Sequence, residues 1–153
     1  IMGLAAALKE ACDHIDENAA KVSNLRDQLI AGLSQIPHSA LNGDPVHRLP
    51  GNVNFCFEGI EGESLLLLLD QVGVCASSGS ACTSGSLDPS HVLLAIGRPH
   101  EVAHGSLRLS LCEWNTQEDV DHILKEVPCI VDYLRSISPV WKDLVSGKKQ
   151  FML

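Results

Sequence analysis

A run of very small residues at positions 77–86 contains a single thiol, that of Cys82. No side chain in this run is large enough to anchor it in a core, and its two glycines, Gly79 and Gly85, relax the backbone. We therefore predict a flexible surface loop with an exposed cysteine. Such a thiol is a strong nucleophile when its pKa is lowered. A Ser/Gly connector with an incidental cysteine is the commoner case, so the run alone does not establish a site.

Arg108 is the second residue whose type and position suggest chemistry. Leucines alternate with polar residues over positions 106–111, which predicts a half-buried strand with Arg108 on its polar face. A guanidinium group on such a face can bind a carboxylate through two parallel hydrogen bonds. A solvated strand arginine is the alternative at this point.

Other chemistries have weaker support. Cys75, Cys82 and His91 match no standard zinc spacing, so we predict no metal site. Neither GxxxxGK[ST] nor GxGxxG occurs, so a phosphate-binding loop is not indicated. The net charge of -8 has no basic cluster, which argues against nucleic acid and anionic membranes as partners. The apolar run 65–69 is far too short to span a bilayer.

The six cysteines form no CxxC pair, and the N-terminus lacks the pattern of a signal peptide. We expect free thiols in a reducing compartment, and hence a cytoplasmic protein.

The elements that must position the loop and Arg108 follow from periodicity. Apolar residues recur every three or four positions over 2–36, which predicts one long helix that ends at Pro37. Alternation at 53–57 predicts a strand, and 63–70 reads as a short, buried helix. We also expect a short strand at 73–76 that leads into the loop.

Beyond the loop, Asp88 and Pro89 resemble a helix start, with Gly97 as its stop and a connector at 99–105. Thr116 begins a final helix with acidic residues in its first turn, while the tail after Pro139 has no assignment. We predict an α/β (α+β) fold, a small two-layer sandwich with helices over one sheet.

Several segments together resemble a known family. The run 77–85, with Leu87, Pro89 and Ser90 after it, resembles the active-site cysteine loop of cysteine desulfurases of the NifS/IscS-like class, in the class V aminotransferase family. Further segments agree in the same order, at 48–54, 62–66, 69–70, 104–110, 115–116 and 118–121. The resemblance therefore covers nearly the whole chain.

The resemblance implies an enzyme that depends on pyridoxal phosphate and has the aminotransferase-like fold, fold type I. Such an enzyme takes sulfur from L-cysteine, giving L-alanine and an enzyme persulfide. By this likeness Cys82 is the nucleophile and Arg108 binds the substrate carboxylate. The implied partners are an iron-sulfur scaffold or another sulfur acceptor, and a second copy in a homodimer.

One departure limits the resemblance. The family's cofactor lysine follows a histidine upstream of the matched region, and this chain has no His-Lys pair. Residues 1–153 thus resemble only the C-terminal small domain, without the large cofactor-binding domain. A selenocysteine lyase-like enzyme, or a non-catalytic binding or dimerisation fragment, is the alternative.

We predict that residues 1–153 by themselves neither hold pyridoxal phosphate tightly nor turn over L-cysteine, because the cofactor lysine is absent. The measurement is the absorbance of bound cofactor together with alanine release after cysteine is added. Formation of a stable cofactor adduct that releases alanine would contradict this prediction.

Overall fold

A three-stranded antiparallel sheet organises the computed structural model, which describes residues 1–78 and 88–153. The strands are β1 (Ser39–Leu41), β2 (Asn52–Phe57) and β3 (Ser106–Ser110), in the spatial order β1-β2-β3. The helices are α1 (Met2–Asp13), α2 (Ile15–Leu33), α3 (Gly62–Gln71), α4 (His91–Ala95), α5 (His100–His104), α6 (Gln117–Ile137) and α7 (Pro139–Val145). This arrangement confirms the predicted mixed α/β fold.

One face of the sheet is apolar and carries the main core. Alternation along β2 and β3 turns Phe55, Phe57 and Leu107 to this side, and all three are buried. Helices α2, α3 and α6 pack here, with Leu29 and Leu65 fully buried in the same cluster. Burying this much apolar surface is the main force that holds the helical layer on the sheet.

The opposite face is polar and is only partly covered. It carries Asn52, Asn54 and Cys56 from β2, and Arg108 from β3. Helices α4 and α5 cover the end near Cys56, where Leu93, Val102 and Ala103 pack on the thiol side chain. Arg108 lies away from this small cluster and is exposed.

The predicted long N-terminal helix is divided in two. His14 has φ -114° and ψ 9°, which lies outside helical geometry and separates α1 from α2. Helix α1 has no buried residue, whereas α2 buries Val22, Leu25, Leu29 and Leu33. The apolar periodicity continues across the break, so periodicity alone predicted one helix. Helix α2 also ends at Leu33, before the predicted stop at Pro37.

Two predictions around the cysteine loop are wrong in detail. Residues 73–76, all of which the structure describes, form no strand. Pairing with β3 begins one residue later and is limited to an isolated bridge between Ser77 and Arg108. The next helix begins at His91, with Ser90 at its N-cap position, rather than at Pro89. Gly97 does follow that helix, with a φ of 89° that favours glycine.

Three short elements were not predicted from the sequence. Helix α5 lies within the expected connector 99–105, α7 lies in the unassigned tail, and β1 has only three residues. Each is shorter than the stretch over which an apolar pattern can be recognised, about 11–18 residues for a helix and at least about four for a strand.

The predicted start of the last helix is confirmed. The Thr116 hydroxyl accepts a hydrogen bond from the Asp119 backbone N–H at 3.3 Å, and the Thr116 N–H donates to Asp119 Oδ2 at 3.0 Å. This reciprocal pair is a capping box. The bond from the Thr116 backbone, and then one from the Asn115 side chain, lowers the pKa of Asp119.

We predict that Thr116→Ala lowers the free energy of unfolding by about 1 kcal/mol, because the helix loses its side-chain cap. Thr116→Ser keeps the hydroxyl and is the matched control. Urea titration of both variants measures the effect, and equal losses in both would contradict it.

The same cap predicts a pH dependence. Since the pKa of Asp119 is lowered in the folded state, its contribution is complete above the unfolded carboxyl pKa of about 3.9 and fades as pH falls through the folded value. The difference in unfolding free energy between wild type and Asp119→Asn should therefore be larger at neutral pH than at about pH 2. A constant difference would show that the charge of Asp119 does not contribute.

Candidate functional site

Arg108 lies at the centre of β3 and links two segments. The Arg108 N–H donates to the Ser77 carbonyl at 2.6 Å, and the Ser77 N–H donates to the Arg108 carbonyl at 3.1 Å. On its other side Arg108 is the register partner of Asn54. The prediction that Arg108 lies on the polar face of a strand is therefore confirmed, and among the described residues its guanidinium has no hydrogen-bond or ion-pair partner.

The segment that contains Cys82 begins beside Arg108, and the chain after it packs on the same face of the sheet. Cys82 itself lies outside the described residues, as does the whole of 79–87. The last residues before this segment are held by the Ser77 bridge. The first helix after it, α4, packs through Leu93 on Cys56, which belongs to the same sheet face as Arg108. Both anchors of the predicted loop are thus attached to the face that carries the arginine.

Asn54 is the closest strand neighbour of Arg108. Because Arg108 gives both of its backbone hydrogen bonds to Ser77, its pair with Asn54 is of the non-hydrogen-bonded kind. Side chains approach most closely in such pairs, with Cα atoms about 4.5 Å apart. A carboxamide and a guanidinium therefore stand side by side at the centre of the polar face.

A chain of hydrogen bonds holds the Asn54 side chain. Arg98 Nε donates to Asn42 Oδ1 at 2.7 Å, and Asn42 Nδ2 donates to Asn54 Oδ1 at 2.7 Å. Asn42 is 4% exposed, and Arg98 also donates to the Leu41 carbonyl at 2.6 Å. Asn42 lies directly after β1 and Arg98 follows α4, so the chain joins both elements to β2.

Arg48 holds the neighbouring Asn52 in a comparable way. Its Nη2 donates to Asn52 Oδ1 at 3.2 Å and its Nε donates to the Asn52 carbonyl at 3.0 Å. Burial lowers the pKa of Arg48, and the nearby charge of Arg26 lowers it further. Asn52 pairs across the sheet with Ser110, so Arg108 is not its register partner.

Sequence reasoning missed the asparagines and Arg98. The alternation over 53–57 predicted that Asn54 points away from the core, and this was the available signal. Its position beside Arg108 depends on the register between β2 and β3, which are 49 or more residues apart in the chain. No local pattern encodes that register.

The buried thiol of Cys56 differs from the exposed, nucleophilic thiol that is predicted at Cys82. It is 0% exposed, and burial raises its pKa, against smaller opposing effects of the Asn42 amide and the Arg98 charge. The Asn42 Nδ2 atom donates to its sulfur at 3.2 Å. A raised pKa and full burial make Cys56 a packing residue rather than a nucleophile.

Metal and membrane sites have no support within 1–78 and 88–153. No cluster of three or more His, Cys, Asp or Glu in these ranges could hold a metal ion, and Cys75 and His91 are both exposed. No helix in the described part of the chain is long and apolar enough to cross a membrane.

The described residues do not fit pyridoxal phosphate as its main binding site. All six lysines lie in the described ranges, on α1, α2, α6, α7 or the tail after α7. None of them lies on a strand, so none belongs to the polar face beside Arg108. A lysine that could form a Schiff base with the cofactor is therefore absent from this site.

Residues 1–123 match the class-V aminotransferase family, and the chain belongs to that family. Among its curated relatives is the cysteine desulfurase IscS of Clostridium botulinum (strain Hall), which is 54% identical over 153 residues. The match covers 98% of this chain and 38% of that protein. The IscS of Methanosarcina thermophila is 57% identical over 140 residues, covering 92% of this chain and 35% of that protein. The resemblance to cysteine desulfurases is confirmed.

Solved structures agree with this assignment. A NifS-like protein from Rickettsia africae superposes with a TM-score of 0.72 at 31% identity, over 85% of this chain and 33% of that one. A second NifS-like protein gives a TM-score of 0.75, also at 31% identity, over 86% and 33%. The chain thus spans about a third of these structures and less than two-fifths of the curated relatives.

We predict that Cys56 reacts with iodoacetamide at pH 8 much more slowly than the exposed thiols of Cys12, Cys75, Cys112 and Cys129. Its pKa is raised, so less thiolate forms, and the reagent cannot reach it in the folded state. Peptide mapping by mass spectrometry after timed quenching gives the individual rates. Unfolding in urea is the control, and rates for Cys56 equal to those of the exposed thiols before unfolding would contradict the prediction.

Proposed function

We propose that this chain is the C-terminal small domain of a cysteine desulfurase, an enzyme that takes sulfur from L-cysteine and depends on pyridoxal phosphate. The observation that carries the proposal is the Ser77–Arg108 bridge, which joins the start of the cysteine segment to the arginine strand. The family membership and identities of 47–57% to proteins named cysteine desulfurase support the same activity.

Arg108 binds the substrate carboxylate. It extends from the middle of a paired strand, its side chain is exposed, and its guanidinium is uncommitted among the described residues. A guanidinium matches a carboxylate through two parallel hydrogen bonds, which fixes orientation as well as position. A strand that is paired on both sides limits the movement of the arginine backbone.

Cys82 is the nucleophile that receives the sulfur. It follows Ser77 by five residues, and an extended chain of that length spans at most about 18 Å. In the net reaction the Cys82 thiol gains a sulfur–sulfur bond, the carbon–sulfur bond of the substrate breaks, and the substrate carbon takes a proton. The products are L-alanine and a persulfide on Cys82, so atoms and electrons balance without another oxidant.

The cofactor belongs to the part of the protein outside residues 1–153. The absence of a lysine on the polar face supports this division, and pyridoxal phosphate bound elsewhere supplies the electron sink that the family chemistry requires. The division into a small C-terminal domain and a large cofactor domain is part of the proposal.

The partners and compartment follow from the same likeness. We include a homodimer and a sulfur acceptor, such as an iron-sulfur scaffold protein, in the proposal. The five described cysteines are free thiols, which supports a reducing compartment such as the cytoplasm.

The test uses the full-length protein with pyridoxal phosphate and L-cysteine. We expect added sulfur on the Cys82 peptide by mass spectrometry, which reductant removes and Cys82→Ala abolishes. Arg108→Ala should raise the KM for L-cysteine and lower kcat/KM by about 10- to 100-fold, since charged hydrogen bonds are lost.

Any other result of this experiment would reject part of the proposed desulfurase function. Alanine formed without sulfur on Cys82 would favour the selenocysteine lyase-like alternative, in which this thiol is not the acceptor. Neither alanine nor persulfide would favour a binding or dimerisation module. Cys56→Ala is a control for the sulfur site, because that buried thiol should not carry persulfide in the active protein.

A further inference from the structure

We propose that the Asn54 side chain donates a second hydrogen bond to the carboxylate that Arg108 binds, and that Arg98 sets the orientation of Asn54 through Asn42. This inference rests on the proposed function, because it identifies further residues at the same substrate site. Asn54 is a binding residue in this proposal, whereas Arg98 and Asn42 are positioning residues.

The hydrogen-bond chemistry determines which way each amide faces. A guanidinium has donors only, so the atom of Asn42 that faces Arg98 Nε at 2.7 Å must be its oxygen. The Asn42 NH2 group then points to Asn54, and the atom it reaches at 2.7 Å must be an acceptor, Oδ1. The Asn54 NH2 group is consequently turned away from Asn42.

The Asn54 NH2 group is available for a ligand. Among the described residues it has no hydrogen-bond partner, although the side chain is half-buried. Its strand neighbour is Arg108, in the pair type where side chains lie closest. No buried side-chain nitrogen in the described ranges lacks a partner, so solvent reaches this NH2 group, and an anion bound by Arg108 would take the place of water as its acceptor.

The two neighbouring groups present mainly donors to a ligand. The Arg108 guanidinium has five N–H donors, and one of the two acceptor positions of the Asn54 oxygen is taken by Asn42. An ionised carboxylate accepts hydrogen bonds only, so the pair is complementary to it. The same pair is unsuited to a ligand that must donate, such as an ammonium group.

Asn52 provides a matched control on the same strand face. Arg48 Nη2 donates to the Asn52 Oδ1 atom at 3.2 Å, so the Asn52 NH2 group is turned away from this donor, as the Asn54 NH2 group is turned away from Asn42. Asn52 lies two residues along β2, about 6.6 Å away, opposite Ser110. Asn52 shares with Asn54 the residue type, the strand and a side-chain oxygen that accepts a hydrogen bond from a neighbouring side chain, and it lacks Arg108 as a register partner.

The first experiment uses the full-length protein with cofactor and compares Asn54→Ala, Asn54→Asp and Asn52→Ala. Asn54→Asp keeps the size of the side chain and an acceptor for Asn42, but it replaces the donor by a negative charge. We expect Asn54→Ala to lower kcat/KM for L-cysteine about tenfold, mainly through KM, and Asn54→Asp to lower it further. Asn52→Ala should change it less than threefold.

Equilibrium dialysis with labelled L-alanine gives a readout that does not depend on turnover. The Kd should rise about tenfold in Asn54→Ala, rise further in Asn54→Asp, and change little in Asn52→Ala. The melting temperature of each variant is recorded to check that it folds. If Asn54→Ala does not fold, Asn54→Asp is used to test the role of Asn54.

Substitutions of Arg98 test separately whether it orients Asn54 through Asn42. Arg98→Leu removes the donor to Asn42, so the amide of Asn42 can reverse and release Asn54. The Kd for L-alanine should therefore rise several-fold in Arg98→Leu. Arg98→Gln retains an N–H donor and should recover at least part of the affinity, whereas a general packing role for Arg98 would give no such rescue.

The outcomes separate this inference from the proposed function. If Arg108→Ala weakens L-alanine binding while Asn54→Ala and Asn54→Asp leave it unchanged, the inference is wrong and the proposed function stands. If Asn52→Ala weakens binding as much as Asn54→Ala, the specific role of Asn54 is also rejected. If Arg108→Ala has no effect and Cys82 gains no sulfur, the proposed function itself fails.

Discussion

The register between β2 and β3 is the constraint on which the candidate site depends. It places Asn54 opposite Arg108 and leaves the backbone of Arg108 free to pair with Ser77. A shift by one residue would turn Arg108 into the apolar core and bring a leucine to the polar face. The buried alternation of Phe55 and Leu107 makes that shift costly, so the hydrophobic core also fixes the arginine.

Burying polar side chains on the polar face of the sheet costs desolvation free energy, but it makes the packing of the strands more specific. Asn42 is 4% exposed, yet its oxygen and its NH2 group both have partners. More generally, no buried side-chain nitrogen or oxygen in the described ranges lacks a hydrogen bond. Buried amides with satisfied bonds exclude alternative packings, because each alternative would leave a polar group unpaired. The Arg98–Asn42–Asn54 chain therefore aligns β1, β2 and the turn after α4 more sharply than apolar contacts alone would.

Local signals predicted the elements that carry their own pattern. The strand with Arg108 has strict alternation, and the Thr116 cap is a four-residue motif, so both were correct from the sequence. The division at His14 was missed because apolar periodicity runs through it, and the short helix α5 was missed because five residues are too few to show helical periodicity. The proposed role of Asn54 was missed for a different reason, since its place opposite Arg108 depends on a strand 49 or more residues away in the chain.

The proposed function sets two mechanical requirements that differ in kind. An arginine that binds the substrate carboxylate would have to stay in place, and Arg108 is held by pairing on both sides of its strand. A sulfur acceptor must reach the substrate and then a second protein, which favours a thiol on a connecting segment rather than on a paired strand. The residues on either side of the Cys82 segment both contact the sheet face that carries Arg108, through the Ser77 bridge before it and through Leu93 of α4 after it. In the proposed function, the more firmly the carboxylate is held, the better defined is the position of the substrate sulfur, so a second donor from Asn54 beside Arg108 would favour the proposed attack by Cys82.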